Sequence, residues 1–161
     1  MFVIKSVLLG MVVCVCSFIG NIKAKSFGRR YFELKRFKNA LGIFKSKLEF
    51  TYEPINEIFA DISKIVYEEE DNIFKRFTEK EDWNWAVDRQ KDFTVEDKEV
   101  AKNLGKMLGK LDKSGQLNEI NLVDNFLDKQ IETAFDVKQK NEKLYKILGT
   151  SAGIAIAIVL I

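Results

Sequence analysis

Apolar residues are concentrated at the two ends of this chain, and they recur with helical spacing between the ends. From Val7 to Ile22 only Ser17 and Asn21 are strongly polar, and residues 147–161 carry no charge. At about 1.5 Å per helical residue, 2–22 and 144–161 would extend roughly 31 and 27 Å, which is close to the thickness of a bilayer's hydrocarbon core. The pattern therefore predicts one transmembrane helix over 2–22 and a second over 147–161.

The intervening residues, 23–146, are enough for one domain, and their apolar positions step by three or four. One stripe marks a long helix from about 27 to 51: Phe27, Tyr31, Leu34, Phe37, Leu41, Phe44 and Leu48. Pro54 suits the first turn of the next helix, whose apolar positions are Ile55, Ile58, Phe59, Ile62 and Ile65 or Val66. Short apolar clusters follow around Phe74 and Trp83.

Two local signals mark the last helices. Thr94 and Asp97 have the spacing of a capping box that opens a helix, and a turn or kink is expected within 112–115. Nothing interrupts the pattern after that turn, so the last helix is predicted to continue into the second span. The fold class is therefore predicted as all-α, an antiparallel helical bundle of five to six helices flanked by an N-terminal and a C-terminal transmembrane helix.

Lysine and arginine flank both spans on their inward-facing sides. Seven basic residues and one acid, Glu33, occupy 23–38, and four lysines occupy 138–146. The positive-inside rule then predicts a two-pass protein of the cell membrane with 23–146 in the cytoplasm. A cleaved signal peptide ending near Ala24-Lys25-Ser26 is the alternative, although a basic cluster directly after the apolar run resists export.

Charge is distributed unevenly along the predicted domain. Residues 23–46 carry eight basic and one acidic side chain, whereas 47–100 carry eight basic and sixteen acidic ones. The basic segment would lie beside anionic lipid headgroups of the bilayer. Because the basic residues are concentrated there and the whole chain has a net charge of only +2, no binding of nucleic acid is expected.

The sequence contains few residues suited to catalysis or to metal binding. It has no histidine, both cysteines lie in the first span, and no phosphate-binding loop occurs. We therefore expect no catalytic residues, no metal and no cofactor. The densest acidic run, a candidate partner-binding site or simply a solvated surface, is Glu68, Glu69, Glu70 and Asp71.

Small residues four apart allow helices to approach closely. Gly105 and Gly109 are candidates for contact between the last two helices of the domain. Gly149, Gly153 and Ala157 are candidates in the second span, where Gly10, Cys14 and Ser17 offer small residues in the first. These candidates could pack the two spans together or pack against a partner.

The order of motifs along the chain resembles the stage III sporulation protein AB family. The resemblance rests on the N-terminal span with the basic segment YFELKRFKNAL, on Glu49…Tyr52-Glu53-Pro54-Ile55, on Leu104-Gly105…Leu108-Gly109…Asp112…Gln116…Ile120, and on the segment 140–149 that enters the C-terminal span. Family members usually have Thr-Pro-Leu where this chain has Glu53-Pro54-Ile55.

This resemblance implies a non-enzymatic scaffold in the channel between mother cell and forespore, on the mother-cell side of the outer forespore membrane. The family is similar to the inner-membrane platform protein of type II secretion and type IV pilus systems. Its implied partners are a cytoplasmic secretion-type ATPase and other membrane subunits, and self-association stays open. The alternative is a membrane-tethered regulator or sensor whose helical domain binds a signalling protein or a small ligand.

Overall fold

A computed structural model of the chain describes residues 2–68, 70–107 and 110–160, and side-chain surroundings are defined for 10–68, 70–106 and 110–159. Over these residues the fold is all-α and contains no strand. The helices are α1 (Phe2–Ser26), α2 (Gly28–Phe50), α3 (Ile55–Tyr67), α4 (Ile73–Lys80), α5 (Trp83–Asp88), α6 (Val95–Met107) and α7 (Lys113–Leu160). The all-α prediction is confirmed.

Local sequence signals account for most of the helix ends. Pro54 is the N-cap of α3, in extended backbone with φ of −60°, as its fixed ring geometry favours. Thr94 and Asp97 form the reciprocal capping box in front of α6. The Thr94 N–H donates to Asp97 Oδ2 at 2.8 Å and the Asp97 N–H donates to Thr94 Oγ1 at 3.3 Å. Asp112 caps α7 by accepting from the Gly115 N–H at 3.0 Å.

The chain divides into two compact units. The first consists of the chain up to Tyr31 together with the chain from Thr133, and the second is Phe32–Glu132. The boundaries predicted from sequence are 2–22, 23–146 and 147–161. They were set by the expected membrane spans and not by contacts within the chain, and they stay a prediction. Within the first unit, Ala24 and Ala134 are buried, although both lie outside the predicted spans.

Aromatic side chains fill the core of the second unit. Phe59 is fully buried and its ring lies 5.0–5.5 Å from the rings of Phe44, Phe74, Phe77 and Trp83. The predicted stripe of α2 supplies further fully buried residues, namely Leu34, Phe37, Leu41 and Phe44. From α7 come Ile120, Val123 and Leu127. The 3.6-residue periodicity therefore identified these core faces correctly.

The two tryptophans of α5 differ in burial. Trp83 is buried, whereas Trp85 is half-buried and lies between two cations, with Lys80 Nζ at 4.1 Å and Arg89 Cζ at 4.3 Å from its ring centre. Residues two apart on a helix point to different sides, which explains why only one of the two tryptophans faces the core. Similarly, Ile65 is exposed and Val66 is half-buried, so Val66 belongs to the core side of α3.

Candidate functional site

Three glycines bring α1 and α7 into backbone contact in the first unit. A Cβ built on Gly20 would lie 2.8 Å from the carbonyl oxygen of Tyr145 and 2.9 Å from the Cα of Gly149. A Cβ on Gly149 would lie 3.0 Å from the Cys16 carbonyl oxygen, and one on Gly153 would lie 3.0 Å from the Val13 Cα. A side chain at Gly20 would clash with backbone atoms of α7, and one at Gly149 or Gly153 would lie closer than most Cβ contacts, so the two helices approach each other closely here.

Aromatic side chains continue this contact beyond the glycines. The rings of Phe27 and Tyr145 have centroids 5.0 Å apart, and those of Tyr31 and Phe135 are 5.4 Å apart. Lys138 Nζ lies 4.9 Å from the centre of the Tyr31 ring, a cation–π distance. The first unit is therefore held by a glycine contact followed by an aromatic contact along the same pair of chain ends.

The sequence predicted residues of this contact more accurately on α7 than on α1. Gly149 and Gly153 were candidates, and the structure places both against α1, whereas Ala157 is half-buried. On α1 the contact uses Cys16 and Gly20, which were not among the expected residues Gly10, Cys14 and Ser17. Gly10 has no atom within 4 Å of a built Cβ, and Cys14 is exposed. The four-residue spacing of Cys16 and Gly20 was the available signal.

Gly105 makes a close contact of a different kind. A Cβ built there would clash with the indole ring of Trp83, so α6 packs against α5 at this point, and the expected contact with the last helix stays a prediction. The indole is also hydrogen-bonded to the same helix, because Trp83 Nε1 donates to the Ala101 carbonyl at 2.7 Å. Gly109, the second candidate of this pair, lies outside the described residues.

Alanine at Gly105 is therefore expected to destabilise the protein. The added methyl group must displace a buried, hydrogen-bonded indole, and overpacking of this kind costs about 1–3 kcal/mol. Gly42, in the interior of α2, is the matched control, because it is exposed and its built Cβ meets nothing within 4 Å. Gly42→Ala should raise stability by roughly 0.5–1 kcal/mol. Thermal unfolding of the full chain in detergent measures both, and equal effects would contradict the Gly105–Trp83 contact.

The acidic run forms the connection between α3 and α4. Glu68 is the C-cap of α3 with φ of 50°, in the left-handed region that non-glycine residues seldom adopt. Glu70 pairs with Arg36 at 2.9 Å, and Asp71 pairs with Arg76 at 2.6 Å. Glu69 lies outside the described residues. At least two of the four candidate acids are thus paired within the domain, which reduces the negative charge that this run presents to a partner.

Arg76 forms hydrogen bonds with several residues of this region. It is buried, and it also donates to the Ala86 carbonyl and to Gln90 Oε1, each at 3.3 Å. The hydrogen bonds from Arg76 hold the pKa of the Asp71 carboxyl below its usual value. A depressed folded-state pKa means that the pair stabilises the fold above the unfolded pKa of Asp71, near 4, and that this contribution is lost on further acidification.

A cavity of about 170 Å³ lies beside this pair, lined by Glu33, Arg36, Tyr67, Glu70, Asp71, Arg76, Arg89, Gln90, Lys91 and Asp92. Glu33 accepts from Gln90 Nε2 at 3.0 Å and lies 3.5 Å from Arg36 Nη1. Burial raises the pKa of the Glu33 carboxyl despite the neighbouring Arg36 guanidinium, and burial also raises the pKa of the Tyr67 phenol. Sequence reasoning missed this cavity, because its charged residues come from three separate segments.

The described residues also bear on metal binding and on membrane association. Across the described side chains, no group of three or more His, Cys, Asp or Glu residues is placed to hold a metal ion. In the same part of the chain, one helical stretch, within Gly10–Phe50, is long and apolar enough to cross a bilayer. This stretch near the N-terminus indicates membrane association, and the second span stays a prediction.

Comparison with known proteins identifies the family of this chain. The family model described as stage III sporulation protein AB matches residues 5–161. The chain is 25% identical over 167 residues to stage III sporulation protein AB of Bacillus subtilis (strain 168), a match that covers 95% of this chain and 98% of that protein. No solved structure shows a significant match. The resemblance read from the motifs is confirmed, and the chain belongs to the stage III sporulation protein AB family.

Proposed function

We propose that this sporulation protein is a non-enzymatic scaffold of the cell membrane, anchored by both of its terminal helices. The observation that carries the proposal is the backbone contact of Gly20 with Gly149 and of Gly153 with α1. Small residues at such contacts are characteristic of helices that pack in lipid, where apolar side chains gain nothing by leaving the solvent. The exposed apolar surface on the same helices, including Phe18, Ile154 and Ile158, suits contact with lipid.

The scaffold would couple a cytoplasmic secretion-type ATPase to the membrane subunits of a channel between mother cell and forespore. The remaining helices would form an antiparallel bundle that extends from the membrane into the mother-cell cytoplasm. Support comes from the family's similarity to the platform proteins of secretion systems and from the excess of acids in 47–100. An acidic surface accelerates the approach of a basic partner without any catalytic group of its own.

The topology is tested with single cysteines in a Cys14→Ser, Cys16→Ala background. Gln90 is a poor reporter because it is buried, whereas Glu99 on α6 is exposed. We expect an impermeant maleimide to label Phe2→Cys and a cysteine added after Ile161 in intact cells. Glu99→Cys should react only after lysis, because the positive-inside rule places it in the cytoplasm. Labelling of Glu99→Cys in intact cells would overturn the proposed orientation.

The ATPase contact is tested at Glu68 and Glu69, and the paired acids Glu70 and Asp71 are left unchanged. Glu68→Gln with Glu69→Gln should slow capture of the ATPase at low salt, and the difference should shrink as salt screens the charges over a Debye length of about 10 Å at 0.1 M. Asp71 is left intact because its loss would leave the buried Arg76 without its carboxylate. The matched control makes the same charge change at two exposed acids of α7, Glu132→Gln and Asp136→Asn.

Stopped-flow association with the purified ATPase measures the effect in detergent-solubilised full-length protein. Equal association rates for the wild type and for both double variants would show that Glu68 and Glu69 are only a solvated surface. A slower rate for the α7 control alone would move the contact to that helix.

The alternative function, a membrane-tethered regulator, is favoured by one observation, the charged cavity beside Glu33. A small ligand with both acidic and basic groups could pair with Arg89 and Asp92 on its walls. Thermal-shift screening of amino acids and nucleotides distinguishes the two functions. A compound that stabilises the wild type but not a Glu33→Gln variant would support the regulator, and capture of the ATPase without such a compound would support the scaffold.

A further inference from the structure

The outward face of α7 carries an 11-residue repeat of exposed side chains, most of them apolar. Two series run through the part of α7 that belongs to the first unit, Thr133, Leu144, Ala155 and Val137, Leu148, Val159. All six residues are exposed, and Val137 and Leu144 each keep 44% of their surface accessible. Eleven residues make three helical turns at 3.67 residues per turn, so both series stay on one side of the helix and form a single stripe.

This stripe is separate from the face of α7 that contacts α1. At 3.6 residues per turn, Leu148 and Gly149 differ by about 100° around the helix, and Leu144 and Gly153 differ by about half a turn. The glycine face is therefore occupied within the unit, while the stripe remains exposed. Its sequence pattern continues one repeat upstream at Leu122 and Phe126, which are 48% and 51% exposed in the second unit.

We propose that the stripe packs against the same stripe of a second copy of this chain, with the two α7 helices parallel. Chains inserted in one membrane by the same signals share one orientation, so their α7 helices run in the same direction. A helix with an identical 11-residue period also stays in contact over the whole stripe, whereas a helix with a seven-residue period would drift away. The first of these steps rests on the membrane anchor of the proposed function.

The polar edges of the stripe fit this pairing. Lys140 lies on one edge and Asn141 on the other, by their positions around the helix. In a two-fold parallel pair, opposite edges face each other, so the Lys140 ammonium meets Asn141 of the second copy instead of another lysine. The side-chain N–H of Asn141 donates a hydrogen bond to the Val137 carbonyl at 2.9 Å. The side-chain oxygen of Asn141 is then the acceptor for that ammonium.

The driving force differs along the stripe. Val137 and Leu144 lie in the segment predicted to be in water, where pairing removes apolar surface from solvent. Leu148 and Val159 lie in the predicted span, where the gain comes from close packing alone. Association is therefore expected to depend most strongly on the membrane-proximal part of α7.

Disulfide cross-linking of the full chain in native membranes tests the pair. In the Cys14→Ser, Cys16→Ala background, Val137→Cys and Leu144→Cys should each form a disulfide dimer on mild oxidation, because in parallel register each residue meets its own copy. Gln139→Cys and Lys143→Cys are exposed controls on other sides of α7, and they should remain monomeric. A Leu144→Glu change added to Val137→Cys should abolish the Val137 dimer.

The possible outcomes distinguish a failure of self-association from a failure of membrane insertion. Equal cross-linking at stripe and control positions would indicate random collision and overturn the pair, as would monomers at all four positions. Cross-links from Val137→Cys to a different protein would show that another subunit covers the stripe. Fractionation of the same samples reports membrane insertion independently, so a monomer found in the membrane fraction contradicts only the self-association.

Discussion

Leucine in place of Gly20 is expected to separate α1 from α7 and to abolish the accumulation of the protein. Even a single methyl group at this position would lie 2.8 Å from the Tyr145 carbonyl oxygen and 2.9 Å from the Gly149 Cα. Both neighbours are backbone atoms and cannot rotate away, so the helices themselves must move. We expect loss of the mature protein from membranes by immunoblotting and a corresponding loss of heat-resistant spores.

Gly10 provides the control for this experiment. It lies on the same helix, it is exposed, and a Cβ built on it meets no atom within 4 Å. Gly10→Leu adds the same apolar side chain to the same predicted span, so general effects on insertion are shared. If the two variants accumulate and sporulate equally, the helices do not make the glycine contact.

Proline in place of Ile131 is expected to have the second large effect. Ile131 lies inside α7, which extends from Lys113 to Leu160. Proline there removes a hydrogen bond and clashes with the preceding turn, which costs about 3 kcal/mol or more. Circular dichroism should show reduced helicity and thermal unfolding a lower midpoint, and assembly with the other subunits should fail.

The Ile131→Ala variant separates the backbone effect from the loss of the side chain. Ile131 is half-buried, so alanine removes some packing while preserving the helix, for which it has the highest propensity. The proline variant should therefore be much less stable than the alanine variant. Similar stabilities would mean that the chain is not helical around Ile131.

The features that the sequence predicted well are determined by residues close together in the chain. Pro54 restricts its own backbone and so begins α3, and Thr94 with Asp97 closes a hydrogen-bonded cap over four residues. The buried positions of α2, such as Phe37 and Phe44, follow from their spacing alone. In each case the physical cause acts within one or two helical turns.

The features that the sequence did not predict depend on contacts between distant segments. The spacing of small residues could not tell which side of α1 would meet α7, so the expected residues Gly10, Cys14 and Ser17 did not include Cys16 and Gly20, which make the contact. The pairing of Glu70 with Arg36 joins the α3–α4 connection to α2, 34 residues earlier in the chain. The spacing of residues predicts that a helix face consists of apolar or small side chains. It does not predict which other segment packs against that face.

The contact between the chain ends also sets an order of events during synthesis. Gly20 leaves the ribosome 129 residues before Gly149, which at about 5–20 residues per second corresponds to roughly 6–26 s. In the proposed membrane arrangement, the face of α1 that contains Gly20 is not covered by α7 during that interval, so lipid or the insertion machinery would contact it. The hairpin can close only after translation of nearly the whole chain, so a truncated or stalled product retains an N-terminal helix without its partner.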